Sequence, residues 1–168
     1  AFLYYGEELG MKGSGKDENK RAPMYWSKDG NAEGMCKGPA DMDDFRMKFD
    51  SLEEQQEDPD SIYNYVKQVI RVRNQNPVIA RGTTAYLEQY SGEQCFALTR
   101  SDENSSLLML GNTSAETATV DLSGLTIGKT AAEELVLLGE LYTGEETAER
   151  TGAEITLPAW SILILGEE

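Results

Sequence analysis

The period of the hydrophobic pattern changes once along this chain, at Arg81-Gly82, and that change limits the folds open to it. Before it, Ile62, Tyr65, Val66, Val69, Ile70 and Val72 recur at steps of three and four, which puts them on one stripe of a helix. After it the step is two. The runs 84–90, 94–100, 106–111, 116–122, 134–141, 154–157 and 161–165 are short and rich in Thr, Leu, Val and Ile, with turn residues such as Ser91-Gly92, Asp102-Glu103-Asn104 and Thr143-Gly144 between them. Seven short strands with frequent turns predict an antiparallel β-sandwich over residues 81–168, preceded by a separate region, 1–80.

That first region is organised differently. Ala1-Phe2-Leu3-Tyr4-Tyr5 is apolar and aromatic and reads as a short buried strand stopping at Gly6-Glu7-Glu8. From Gly10 to Gly38 the chain shows no period and is crowded with Gly, Lys, Asp, Asn and Ser, a long loop of the kind that is usually functional or disordered. Ser51 followed by Glu54 forms a capping box and predicts a short helix over 52–56. Asp58 is positioned to cap the next helix, with Pro59 in its first turn; Arg71 and Arg73 suit the C-terminal end, before Asn76-Pro77.

Composition excludes several chemistries. There is no histidine among the 168 residues. Ser-His-Asp and Cys-His nucleophiles, the commonest zinc sites and imidazole acid–base catalysis are therefore absent from this chain. Carboxylates remain, and a pair of them is what a glycosidase uses. The net charge of −15 argues against a nucleic-acid partner. It is concentrated in residues 41–60 and 131–168, which read as solvated acidic faces. No run approaches the roughly 18 apolar residues of a membrane span. Cys36 and Cys95 stand 59 positions apart and are read as free thiols. A hydrophobic content of 39% is that of a folded chain.

Tyr4-Tyr5-Gly6-Glu7-Glu8-Leu9-Gly10-Met11 resembles the last barrel-strand motif of the alpha-amylase superfamily of glycoside hydrolases. Asp17-Glu18-Asn19 with Arg21-Ala22-Pro23-Met24-Tyr25-Trp26 resembles the D-E-x-x-R-x-P-M-x-W loop of its alpha-glucosidase and oligosaccharide-cleaving members. Leu52-Glu53-Glu54-Gln55, Asp58-Pro59-Asp60-Ser61 and the helix through Arg73 resemble the eighth barrel helix and its approach. The remainder, through Leu157-Pro158-Ala159-Trp160, resembles the all-β C-terminal domain. The resemblance implies the last strand, loop and helix of a truncated (β/α)8 barrel over 1–80, then the sandwich over 81–168. A whole barrel takes about 250 residues, so most of it would lie elsewhere.

It also implies a parent that hydrolyses alpha-glucosidic bonds with retention, using an Asp nucleophile, a Glu acid/base and a second Asp on barrel strands four, five and seven. None of these falls on a residue here, so this chain alone is expected to be inactive, with the β-domain stabilising the barrel. An alternative is a stand-alone sandwich that binds starch or maltooligosaccharides. Neither reading calls for a cofactor or a metal. Asp41, Asp43 and Asp44 lack the spacing of a calcium loop.

By the same resemblance Arg21 is expected to contact substrate in the full-length parent, its planar fork suiting both a carboxylate and sugar hydroxyls. Tyr25 and Trp26 are candidates for stacking on sugar rings, or for packing the loop. Glu7 and Glu8 are expected to shape the turn and not to form a catalytic pair. Trp160 is expected in the core. Residues 1–50, without barrel neighbours, are expected to be poorly ordered or to self-associate. The compartment stays open; acidity and a starch-type substrate favour a secreted or surface enzyme of a bacterium.

Overall fold

A computed structural model describes residues 2–167. Its internal contacts divide the chain into two compact units, 1–67 and 68–168.

In the first unit, residues 2–5 form no ladder, and Phe2, Leu3, Tyr4 and Tyr5 are all exposed. The short buried strand expected there is not present, because no neighbouring strand supplies the partners its backbone needs. A 3-10 turn follows at Glu7–Leu9, opened by Gly6 with φ 87°. Only glycine serves there, since a Cβ would also lie 2.6 Å from the Met11 sulfur. Helix α1 is a single turn, Asp17–Lys20, and α2 spans Leu52–Glu57. No helix or strand occurs between them among the described residues. The capping box is present, with the Ser51 N–H donating to Glu54 Oε2 at 3.1 Å.

Helix α3, Ile62–Gln75, starts later than the sequence implies. Asp58 is spent on its own turn, where its Oδ1 accepts the Asp60 N–H, and Ser61 Oγ accepts the Asn64 N–H in its place. The boundary between the units runs through α3. A last short helix, α4, occupies Val78–Arg81, immediately after Pro77.

The second unit is an antiparallel sandwich. Its strands are β1 (Thr83–Tyr86), β2 (Cys95–Ser101), β3 (Ser106–Asn112), β4 (Ala118–Asp121), β5 (Thr126–Ile127), β6 (Thr130–Ala131), β7 (Val136–Leu141), β8 (Glu149–Thr151), β9 (Glu154–Leu157) and β10 (Ser161–Gly166). One sheet runs β1-β2-β3-β10-β7, the other β4-β9-β8, and β5-β6 is a separate hairpin. Ala97, Leu108, Leu110, Leu163 and Leu165 from the first sheet meet Val120, Ile155 and Leu157 from the second, with Leu122, Leu125, Ile127 and Leu135 closing the core. The alternation along β10 is what divides the faces: Leu163 and Leu165 point inward, and Ile164 points to the other side.

That other side is covered by helix. Gln68 Nε2 donates to the Glu140 carbonyl at 2.9 Å. Val72 Cγ1 lies so close to Gly139 that a Cβ there would sit 2.7 Å from it. A register shift between Ile164 and Leu165 marks a β-bulge opposite this glycine, and Leu107, Val72, Val78 and Ile164 are buried. The back half of α3 is thus built into the sandwich, which is why the units part at Lys67.

Trp160 departs from expectation. It is half exposed, with φ 51°, and its N–H donates to the Ser114 carbonyl. The inward place at the start of β10 belongs to Ser161, fully buried, whose Oγ donates to the Pro158 carbonyl at 2.7 Å.

Candidate functional site

The first unit has little apolar core. Its buried hydrophobic side chains, among the described residues, are Leu9 and Ala22, whereas Asn19, Ser51, Gln55 and Ser61 are buried polar groups. Two amides hold it together. Gln55 Nε2 donates to the carbonyls of Leu9 (3.0 Å) and Asp50 (2.7 Å), and its Oε1 accepts the Tyr63 N–H (3.0 Å). Asn19 Nδ2 donates to the Ser14 carbonyl and to Asp43 Oδ2, both at 2.8 Å, while its Oδ1 accepts the Asp43 N–H. The long loop is pinned at both ends by these contacts.

Asp43 also pairs with Lys16 at 2.7 Å. The Asn19 amide first, and then Lys16, hold its carboxyl below the usual carboxylate range. Glu54 is lowered likewise, by Lys28 and then Ser51. A carboxyl held low in the folded state stabilises the fold above its unfolded value near 4; that stabilisation is lost as pH falls through the lower folded value, because the unfolded chain takes up the proton first. Thermal unfolding of the first unit should therefore drop in midpoint from pH 5 to pH 3, with a smaller drop in Asp43→Asn. An equal drop in the variant would remove Asp43 from the explanation.

On this frame sits a cleft of about 460 Å³, lined by Tyr4, Tyr5, Glu7, Lys12, Asp17 and Arg21 among others. Arg21 follows α1, one turn after Asp17, and its Nη2 meets Asp17 Oδ2 at 2.9 Å. The Tyr4 and Tyr5 rings lie 4.7 Å apart, and the Tyr5 hydroxyl donates to the Ala22 carbonyl at 3.0 Å. Partial desolvation of its hydroxyl, and then the neighbouring Tyr4, push the Tyr5 phenol up. Glu7 Oε2 accepts the Tyr4 N–H at 3.1 Å, a turn-shaping contact, and Glu7 and Glu8 lie on the 3-10 turn instead of a strand.

Arg21 is thus brought together with Tyr4, Tyr5 and Glu7, a cation and two rings at one opening. Tyr25 and Trp26 do not line it. Their carbonyls accept the Leu52 and Glu53 N–H groups, satisfying the free start of α2, and the Trp26 ring stays partly exposed. No group of three or more metal-binding side chains occurs among the described residues. The arrangement can donate to hydroxyls and pack a pyranose face. Its two carboxylates are engaged locally, Glu7 by the Tyr4 N–H and Asp17 by Arg21.

The chain resembles known proteins over each of its parts. Residues 1–82 match the family described as the alpha-amylase catalytic domain. Alpha-amylase 3 of Dictyoglomus thermophilum is 32% identical over 81 residues, covering 48% of this chain and 16% of that protein. Trehalose synthase of Thermus thermophilus is 27% identical over 131 residues, covering 71% and 14%. The structure of Amy13B of Eubacterium rectale superposes over 100% of this chain and 31% of its own, at a TM-score of 0.91 and 39% identity.

Proposed function

From the membership of this chain in the alpha-amylase family of glycoside hydrolases, we propose that it is the C-terminal part of an enzyme that hydrolyses alpha-glucosidic bonds in glucans or maltooligosaccharides with retention of configuration. The single observation supporting this most is the superposition of the whole chain, barrel-derived and β-rich parts alike, on one stretch of Amy13B. In this reading residues 1–80 complete a barrel and 81–168 form the C-terminal domain. The nucleophile, the acid/base and the third acid belong to barrel strands outside these residues. The chain by itself is inactive.

The sandwich then acts as a brace. Gln68, Val72 and Val78 carry the last helix and its continuation on the outer face of the five-stranded sheet, so this helix is anchored from the sandwich side. Arg21 would meet the terminal sugar, with Asp17 fixing the guanidinium and leaving its other N–H groups for hydroxyls. Tyr25 and Trp26 would contribute to the same pocket only after the rest of the barrel surrounds them. The exposed side chains of Phe2, Leu3, Tyr4 and Tyr5 are the surface that the remaining strands would cover, and the surface through which the isolated chain would self-associate.

The test is an assay of the 168-residue chain with maltoheptaose. No sugar should be released above the uncatalysed background. Turnover that survives purification and scales with chain concentration would defeat the reading.

A further inference from the structure

Helix α1 is a single turn of four residues, and its capping residue, Lys16, supplies no side-chain hydrogen bond. A helix shorter than about 12 residues is marginal by itself in water, so a tertiary contact must hold this one. Its one buried residue is Asn19, 5% exposed. We propose that Asn19 is a positioning residue for Arg21: gripped by Ser14 and Asp43, it fixes the turn that aims the guanidinium at the terminal sugar. This role rests on the function proposed above, in which Arg21 meets that sugar.

The Asn19 amide has no spare donor. One Nδ2 hydrogen goes to the Ser14 carbonyl and the other to Asp43 Oδ2, both at 2.8 Å, while Oδ1 accepts the Asp43 N–H at 2.9 Å. Reversing the amide would set its oxygen against a carbonyl and a carboxylate, so one orientation alone is satisfied. Lys16 holds the other oxygen of that carboxylate at 2.7 Å. The chain is tight around this contact. A Cβ on Gly13 would lie 3.0 Å from the Asn19 carbonyl oxygen, and Gly15 turns at φ 80°. Asn19 also lines the cleft, but with both donors committed it acts through the turn and not on the sugar.

Arg21 stands two residues after this anchor. Its N–H donates to the Glu18 carbonyl at 3.1 Å and closes the turn, and the Tyr5 hydroxyl holds the next carbonyl, that of Ala22, at 3.0 Å. The backbone is therefore fixed on both sides of Arg21. The side chain is half exposed, and its ion-pair partners among the described residues are Asp17 at 2.9 Å and Glu18 at 3.8 Å.

Both partners belong to α1 itself and move with it. The guanidinium goes where the turn goes, and Asn19, tied to a residue 24 positions away, sets where the turn is. A donor displaced by about 1 Å can lose much of its effect on a bound substrate. The reach of this one amide from Asp43 to Arg21 is thus a route from the far end of the loop to the cleft.

The experiment is a double-mutant cycle in the full-length enzyme of which residues 1–168 are proposed to be the C-terminal part, read as kcat/KM on maltoheptaose. Asn19→Ala should lower kcat/KM about tenfold or more, chiefly through KM, and Arg21→Ala at least as much. In the Arg21→Ala background Asn19→Ala should cost nothing further, because no guanidinium is left to aim. Equal losses in the two backgrounds would show a merely structural Asn19 and overturn the proposal, as would no loss in either. Hydrogen exchange separates a loosened turn from unfolding: in Asn19→Ala protection should fall at residues 17–22 and stay at 52–64, where Gln55 holds the frame. Unchanged protection at 17–22 would overturn the anchor. Where Asn19→Ala unfolds both stretches, Asp43→Ala carries the cycle; it keeps the Asp43 N–H and the Ser14 bond, and should give a smaller loss of the same non-additive kind. An enzyme that leaves maltoheptaose untouched would defeat the hydrolase reading, and the exchange result would then decide on the anchor alone.

Discussion

Replacing Gln55 with leucine is expected to unfold residues 2–67 while the sandwich remains intact. The side chain is buried and its amide joins three segments: the turn at Leu9, the approach to α2 at Asp50 and the start of α3 at Tyr63. Its own carbonyl accepts Ser61 Oγ at 2.7 Å and Asn64 Nδ2 at 3.0 Å. Leucine fills the space but leaves two carbonyls and one N–H without partners, each costing about 1–3 kcal/mol. A unit whose buried apolar side chains, among the described residues, are Leu9 and Ala22 has no such reserve. Gln55→Glu should do as badly, because an oxygen would then face the Leu9 and Asp50 carbonyls. Hydrogen exchange resolves the outcome: protection is lost at residues 9–12 and 52–64 and kept at 106–112. Wild-type protection at Tyr63 in either variant would contradict this assignment.

The second large effect lies in the sandwich. Asn112, buried at the end of β3, donates through Nδ2 to the carbonyls of Glu116 (2.7 Å), Pro158 (3.0 Å) and Leu157 (3.2 Å). Its Oδ1 accepts the Ser114 N–H and hydroxyl. One side chain thus ties the β3–β4 turn to the β9–β10 turn, across both sheets. Asn112→Ala should cost about 3 kcal/mol, which for a domain of this size lowers the melting midpoint by about 15 °C. Asn112→Asp should cost at least as much, since a carboxylate would face three carbonyls. A shift of two degrees or less in both would show that the turns hold without it.

The regular parts of the fold are legible in the sequence, and the joints are not. The runs around 106–111, 154–157 and 161–165 match β3, β9 and β10 because alternating side chains must find a core. Strands β5 and β6 have two residues each, and β8 is Glu149-Arg150-Thr151 with no apolar position, so none carries a periodic signal. Helix α1, Asp17–Lys20, lacks an apolar stripe for the same reason. Pro77 reads as a stop, yet it caps α4, where a missing N–H costs nothing. Trp160 reads as core by residue type and is exposed, because Ser161 takes the inward place.

The site divides in the same way. The Asp17–Arg21 pair depends on the single turn of α1, which a loop-like composition hides, and the placing of Tyr4 and Tyr5 beside Arg21 needs the turn at Gly6. Gln55 and Asn112 act over 46 and 45 residues, through carbonyls that no local pattern marks.

The measurement that bears most directly on the account follows maltoheptaose by proton NMR. The protein to assay is the full-length enzyme of which residues 1–168 are proposed to be the C-terminal part. The account predicts hydrolysis in which the new reducing end appears first as the α-anomer, and no reaction from the 168-residue chain alone. A β-anomer appearing first, or a full-length product that leaves maltoheptaose untouched, would contradict it.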